Sequence, residues 1–487
     1  MEAAEAVKYP EIVLENLSED LEATLQLGYA WIRRGSLETA RDVFDGLTCL
    51  HLESGEAQQV GRGLNRIGEV LMELVDGPGA LIAYRAGLEI RKALTQRDPN
   101  NTDWQRELSL THDKIGILLE AQGDRRGALA AYSDGLEIRN NLSQRDPNNT
   151  EWQRDLSWTL DRIGDVLTAQ GDFSGALSAY RAGLEIAASL VQRDPEHAEW
   201  QRDLSISHNT IGNALLGQED SSGALAAYRT GLEIRKTLAQ RDPDNTEWQR
   251  DLSISHDKIG HALQAQGDSS EALAAYRKSL EIAEILAQRD PDNMEWQHDL
   301  SASYDQVGDV LLAQGDCPGA LSAYRAGLEI AQSLVRWDPE NTEWQRDLSI
   351  SHNKIGDALL SQEDSSGALA AYRTGLEIRN ALTQQDPENA KWQRDLSISH
   401  DKIGNALVGQ GDSRKARAAY LAGLDILESL ARREPQNSQW LMDQAEVLAK
   451  LGSLDCLMAR NVRRDYLGLA EEPRSTAAQL VPARVLR

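Results

Sequence analysis

Tryptophan recurs at Trp104, Trp152, Trp200, Trp248, Trp296, Trp344, Trp392 and Trp440, always 48 residues from the next. A chain written on so fixed a beat is one structural unit copied many times, not a set of unrelated domains with separate cores. The surrounding text returns with small changes, typified by WQRDLSISHDKIGHALQAQGDSSEALAAYRKSLEIAEILAQRDPDN over residues 248–293. Glycine keeps the same beat from Gly68 to Gly452, and one earlier unit around Gly28 precedes Gly68 by 40 residues. Residues 201–248 and 345–392 match at most positions and share QEDSSG, so a block of three units, 144 residues, reads as having been duplicated.

Within a unit the apolar spacing is helical. Trp104, Leu108, Ile115 and Leu119 fall on one helix face, and Ala128, Leu129, Tyr132, Leu136 and Leu142 make a second. Gly123-Asp124 separates the two: the glycine suits a left-handed helix end and the aspartate caps the next helix. Asp-Pro stops the second helix, and the Asn-Thr that follows supplies the next cap. Each unit is therefore expected to be a hairpin of two helices of about 20 residues, each about 30 Å long. One hairpin cannot cover its own apolar face; stacked hairpins can. Aromatic residues are 5% of the chain and Phe occurs twice, so Ala and Leu must fill most of the core.

These residues resemble the tetratricopeptide repeat. Leu27-Gly28, Ala40 and Phe44 show its spacing, with a small residue 12 after the glycine and an aromatic one 16 after it. Ile115-Gly116, Ala128 and Tyr132 repeat it, as do Ile259-Gly260, Ala272 and Tyr276. The units are longer than the family's usual 34 residues and look like the long arrays common in bacterial proteins. The resemblance implies an all-α, right-handed solenoid of stacked antiparallel hairpins. An N-terminal helix and a first hairpin are expected within residues 1–50, the array over 51–439, capping helices over 440–472 and a disordered basic tail over 473–487. Gly87, Gly135, Gly183, Gly231, Gly327, Gly375 and Gly423 stand where the family usually has Ala. A mid-helix glycine costs about 1 kcal/mol against Ala, so these seven are expected at points of close helix approach. In the QEDSSG units Glu219 and Glu363 replace the turn glycine, and a locally different turn is expected there, because a left-handed Glu costs about 1–2 kcal/mol.

Charge narrows the function classes. There are 51 Lys+Arg against 77 Asp+Glu, a net −26, which disfavours nucleic acid and anionic membrane surfaces as partners. Residues 456–487 run the other way, with six arginines against three acidic residues. Cys49, Cys317 and Cys456 are too far apart for a disulfide framework or a metal-ligand spacing. No apolar run approaches the roughly 18–20 residues of a membrane span. The expectation is a cytoplasmic protein of a reducing compartment with no cofactor or metal.

Motifs that resemble chemistry are better explained by the repeat. Asp220-Ser221-Ser222-Gly223 has a serine-nucleophile look but recurs at 364–367 as an interhelical turn. His112, His208, His256, His352 and His400 form a ladder of one per unit, too widely spaced along a stack to chelate one ion. They are expected to be packing residues, with pH sensing as the functional alternative. The register tryptophans are expected to be core anchors.

The binding candidates come from the resemblance, which implies that the first helix of each hairpin lines a concave groove. Three residues before the glycine stand Asn65, Asp113, Asp161, Asn209, Asp257, Asp305, Asn353 and Asp401. One residue after it stand Glu69, Asp165, Asn213, His261, Asp309, Asp357 and Asn405. Asn amides suit the backbone of an extended peptide, and carboxylates suit Lys or Arg side chains. The expected function is a non-enzymatic protein-interaction scaffold holding a protein or peptide segment, its basic character set by the carboxylates. The alternatives are a chaperone for a dedicated client and a regulatory subunit of a separately encoded effector, and self-association is open.

Overall fold

The structure, a computed structural model, describes residues 19–48, 54–74, 76–435 and 437–467. Cys49 and the basic tail over 473–487 lie outside the described residues. Those described form helices and no strand. Contacts group the chain into two units, Met1–Leu238 and Ala239–Arg487.

The first unit holds the hairpins α1–α2 (Glu19–Arg33, Leu37–Thr48), α3–α4 (Ser54–Glu73, Gly77–Arg97), α5–α6 (Thr102–Ala121, Arg125–Arg145) and α7–α8 (Thr150–Ala169, Phe173–Arg193). It also holds α9 (Ala198–Gly217) and most of α10 (Ser221–Arg241). The second unit holds α11–α12 (Thr246–Ala265, Ser269–Arg289), α13–α14 (Met294–Ala313, Cys317–Trp337), α15–α16 (Thr342–Ser361, Ser365–Gln385) and α17–α18 (Ala390–Gly409, Ser413–Arg433). The helix α19 (Ser438–Leu467) follows. Within each unit, hairpin partners such as α5–α6 and α13–α14 pack most heavily on each other and next on the neighbouring hairpin, the stacking that the repeat requires.

Local chemistry sets the helix ends as the sequence indicates. Asn245 caps α11 by accepting from the Trp248 amide at 3.1 Å, and Asp268 caps α12 by accepting from the Glu271 amide at 3.1 Å. The turn glycine Gly267 adopts φ +84°. At the QEDSSG turns the expectation of a different geometry is corrected. Glu219 and Glu363 take the same left-handed conformation, φ 65° and 63°. Asp364 N–H donates to the Leu359 carbonyl at 2.9 Å, as Asp172 N–H does to Leu167. The bonds that close the turn outweigh the side-chain clash.

The hairpin is held by an aromatic ring seated on a glycine. Tyr132, Tyr180, Tyr228, Tyr276, Tyr324 and Tyr372 are almost fully buried. A Cβ built on Gly260 would stand 2.6 Å from the Tyr276 ring, and Ala272 is fully buried one turn before that tyrosine. The second-helix glycines are points of close approach, as expected. A Cβ on Gly231 would stand 2.8 Å from Asn209 Oδ1 and 3.1 Å from the Ser205 carbonyl. The histidine ladder packs there too: the His208 Cβ lies 3.5 Å and the His352 Cβ 3.6 Å from such a built Cβ. The register tryptophans depart from expectation in degree. Trp440 is buried but Trp104 to Trp392 are only half-buried.

Neighbouring hairpins are also tied by charge. Arg106 Nε meets Asp155 at 2.7 Å, Arg250 meets Asp299 at 2.5 Å and Arg394 meets Asp443 at 2.6 Å, each 49 residues on. Half-exposed pairs of this kind contribute about 0–1 kcal/mol each, so they set the register of stacking more than its strength.

Two substitutions test these backbone assignments. Gly260→Ala is expected to lower stability by about 1–3 kcal/mol despite its better helix propensity, read as a lower urea midpoint. Glu363→Gly is expected to raise it by about 1 kcal/mol, with an unchanged circular dichroism spectrum.

Candidate functional site

The two polar rows lie on the first helices, and the structure gives them different surroundings. In the row three before the glycine, Asp113, Asn209 and Asn353 are buried, and Asn65, Asp161, Asp257, Asp305 and Asp401 are partly so. They point into the seam between the two helices of their own hairpin. Had Gly183 a Cβ, Asp161 Oδ1 would lie 3.0 Å from it; at Gly327 the distance to Asp305 Oδ1 would be 3.2 Å. The expectation of an open ladder is thus corrected for this row: Asn65, Asp113, Asp161, Asn209, Asp305 and Asn353 are wedged against the second-helix glycines that make room for them.

The row one after the glycine stays nearer solvent but is not free of partners. The buried tyrosines turn their hydroxyls to it: Tyr180 donates to Asp165 at 2.7 Å, Tyr324 to Asp309 at 2.7 Å, and Tyr372 to Asp357 at 2.6 Å. Tyr228 donates to Asn213 and Tyr420 to Asn405, both at 2.8 Å. The His261 ring meets the Tyr276 ring edge-on with centroids 5.5 Å apart.

A cationic row that sequence reasoning missed interleaves with both. Lys114 reaches back to Glu69 at 2.5 Å, Lys354 to Asp309 at 2.5 Å and Lys402 to Asp357 at 2.7 Å. Lys450 holds Asp401 through both oxygens, at 2.9 and 2.7 Å. Glu69 is held below the usual carboxylate range by Lys114 and Arg66 against the opposing effect of burial. The signal was present, since the basic residues stand two before the glycine on the same 48-residue beat. It went unused because only the stacking shows that each cation reaches the previous hairpin.

A second missed set is buried arginine on the second helices. Arg379 Nε donates to Ser349 Oγ at 3.0 Å, and its Nη1 to Ser399 Oγ at 2.8 Å and the Asp395 carbonyl at 2.6 Å. Arg235 donates to Ser205 Oγ at 3.0 Å, and Arg139 pairs with Asp113 at 2.5 Å and with Thr159. Arg91 donates to Asn65 Oδ1 at 3.3 Å. Burial pulls Arg91 and Arg379 down to about 10. A buried guanidinium is tolerable only with such acceptors, and Arg139 and Arg379 each join their own hairpin to the next.

Burial costs the aspartates of this row throughout, pushing Asp113 up to about 6 against the pull of Arg139, and more where the second helix lacks arginine. Burial pushes Asp161 and Asp305 up to about 7; neighbouring Asp165 adds to the first, while Lys354 partly offsets the second. Burial raises Asp257 as well, with His261, Lys258 and the Gln306 amide pulling it back. Asp161, Asp257 and Asp305, like Asp113, each keep one buried carboxylate oxygen, Oδ1, without a hydrogen-bond partner. Burial lowers His112, His208, His352 and His400.

The remaining motifs resolve structurally. Asp220 caps α10 by accepting from the Gly223 amide at 2.9 Å, so the serine motif is a helix start. Among the described residues no three His, Cys, Asp or Glu side chains gather as a metal site, and no helix is long and apolar enough to cross a membrane. Trp158, 38% exposed, lies under the guanidinium groups of Arg139 and Arg162, at 5.9 and 5.6 Å.

Tetratricopeptide-repeat family models match residues 255–285 and 402–455. This is a tetratricopeptide-repeat protein. No curated protein matches its sequence. Among solved structures it is similar to apo RapI, at 13% identity over 85% of this chain and 99% of that one, with a TM-score of 0.52. Apo NprR, a quorum sensor from B. thuringiensis, is 11% identical over 84% of this chain and 99% of that one, TM-score 0.48. BtubC from P. vanneervenii is 19% identical over 52% and 91%, TM-score 0.42. At these identities the likeness to RapI is one of fold. The tetratricopeptide array here is therefore read from its own side chains.

Its two kinds of buried titrating group pull stability in opposite directions. An aspartate raised to about 7 stabilises fully below its unfolded value near 3.8 and loses that contribution as pH rises through 7. The lowered histidines stabilise above their ordinary value near 6.5 and lose that contribution as pH falls. The double variant Asp161→Asn, Asp305→Asn is expected to melt above wild type, with a larger gain at pH 8 than at pH 5, measured by thermal melts across that range.

Proposed function

We propose that this protein is a non-enzymatic scaffold that holds a segment of a partner polypeptide along the first-helix face of its hairpins. Tetratricopeptide arrays generally serve protein–protein interaction. The observation that carries the finer reading is the half-exposed row of His261, Asp309, Asp357 and Asn405, repeated in register on successive first helices and held by the Tyr and Lys contacts around it. A row so held is pre-organised, so a partner segment meets fixed acceptors and the scaffold gives up little conformational freedom on binding. Many weak contacts on the same beat would then add up across units. Asn209 and Asn353 act in this reading from below, by positioning the hairpin, since they are buried. The cytoplasmic placement expected from the cysteine pattern belongs to the same proposal.

Capture from a lysate of the source cell tests it, using wild type beside the variant His261→Ala, Asp309→Asn, Asp357→Asn, Asn405→Ala, with circular dichroism to confirm folding. A protein retained by wild type, lost by the variant and released by raised salt is the expected result. Equal retention by both, or no retained protein, would overturn the assignment to this face.

A further inference from the structure

The repeats of this chain are templates for one another, and they disagree at one place in a patterned way. Counting 26 residues on from the row three before the glycine, the second helices carry Arg91, Arg139, Ala187, Arg235, Ala283, Ala331, Arg379 and Leu427. Asn65, Asn209 and Asn353 accompany an arginine, whereas Asp161, Asp257 and Asp305 accompany an alanine. Of the other two aspartates, Asp113 has Arg139 and Asp401 has Lys450. The buried carboxylates with neither a second-helix arginine nor a lysine hydrogen bond therefore sit at the alanine positions, Asp305 having Lys354 only at 4.0 Å, and there Asn would cost the fold less.

At Ala283 the missing arginine leaves a cavity of about 100 Å³. Ser253, Asp299 and Ser303 line it. They stand 96 residues before Ser349, Asp395 and Ser399, the three residues that accept hydrogen bonds from Arg379. Asp257 lines it as well, with Oδ1 buried and unpartnered and Oδ2 3.5 Å from His261 Nε2. The floor, including Ser253, Ala283 and Ser303, is buried, while the mouth on the first-helix face has half-buried Ile254 and exposed Ala302. Arg250, also at the cavity, is already held by Asp299 and Glu295.

We propose that this cavity is a receptor slot for the guanidinium of an arginine side chain on the partner segment, which enters from the first-helix face and takes the place that Arg379 fills in its own repeat. The inference rests on the scaffold reading and names the side chain that the first-helix face selects. Ser253 Oγ donates to the Ser279 carbonyl at 3.0 Å and keeps a lone pair to accept. With the Ser303 hydroxyl, the Asp299 carbonyl and the Asp257 carboxylate it makes four acceptors, which suit the five fixed donors of arginine better than the point charge of lysine. Ionised Asp257 supplies the charge that makes these bonds strong, and citrulline, of similar shape but neutral, forfeits it.

The test uses the full chain with the Ile254 δ-methyl group labelled for NMR, since that methyl stands at the mouth. The probe is a short alanine–glycine peptide with one central arginine, compared with the same peptide carrying citrulline. The arginine peptide is expected to shift the Ile254 methyl saturably, and citrulline to bind at least about tenfold more weakly. Ala283→Arg, which fills the slot from inside, is expected to raise the melting temperature and abolish the shift. Asp257→Asn, the residue of the sister repeats, is expected to keep the fold and weaken the peptide by about tenfold. An Ile254 methyl that ignores the arginine peptide, equal response to citrulline, or undiminished binding by Asp257→Asn would overturn the slot. The scaffold reading fails separately: it depends on His261, Asp309, Asp357 and Asn405, so a partner captured equally by wild type and Ala283→Arg would overturn the slot alone.

Discussion

Every hairpin depends on an aromatic ring seated against a glycine of the facing helix, Phe44 on Gly28 in the first and a tyrosine in the rest. That contact removes the Cβ from one side and fills the space with a large apolar ring, so the helix pair comes closer than two ordinary side chains would allow. It also decides where polar groups can go. The tyrosine ring carries its hydroxyl out to the first-helix face, where it meets the residue one after the glycine and fixes that residue's rotamer. The aromatic that closes the core is thus also the support for the row on which the proposed function rests.

The close approach has a second consequence, in the seam. Glycine on the second helix leaves a narrow gap, and into it turn Asp or Asn from the first helix and Ser or Thr from the same and the next hairpin. A gap lined by so many acceptors demands a donor. Arginine from the second helix meets the demand in four repeats, and lysine from α19 meets it for Asp401. In the alanine repeats the acceptors remain and the donor is gone. The energetic penalty falls on the aspartates, whose raised proton affinity is the measure of it. Variation between repeats of one chain is therefore informative in a way that a single site is not, because the filled repeats show what the vacant one would accept.

Much of this was legible in the residues. The 48-residue beat, the Asn and Asp caps, the turn glycines and the Gly–Ala–Tyr spacing act over a few residues or within one helix face, and the structure keeps each of them. The close approach at Gly231 was legible too, since a glycine in a helix interior needs a packing reason. What misled was orientation. Asp113 and Asn353 looked like an open ladder by spacing alone, yet spacing says only that they share a face with the glycine, and that face is the one the second helix covers. Glu363 misled in a different way, because a local steric penalty was weighed without the turn bonds that oppose it.

The sequence by itself determined the unit, its two helices, their ends and the stacking that a one-sided apolar face compels, since these follow from local backbone preference and hydrophobic periodicity. Tertiary structure alone decided which charges neutralise one another. Lys402 finds Asp357 across 45 residues, Arg394 finds Asp443 across 49, and Ala283 leaves vacant a place that Arg379 fills. Those pairings depend on how far one helix is turned and shifted against the next, and a change of a few ångströms in that packing would pair different side chains.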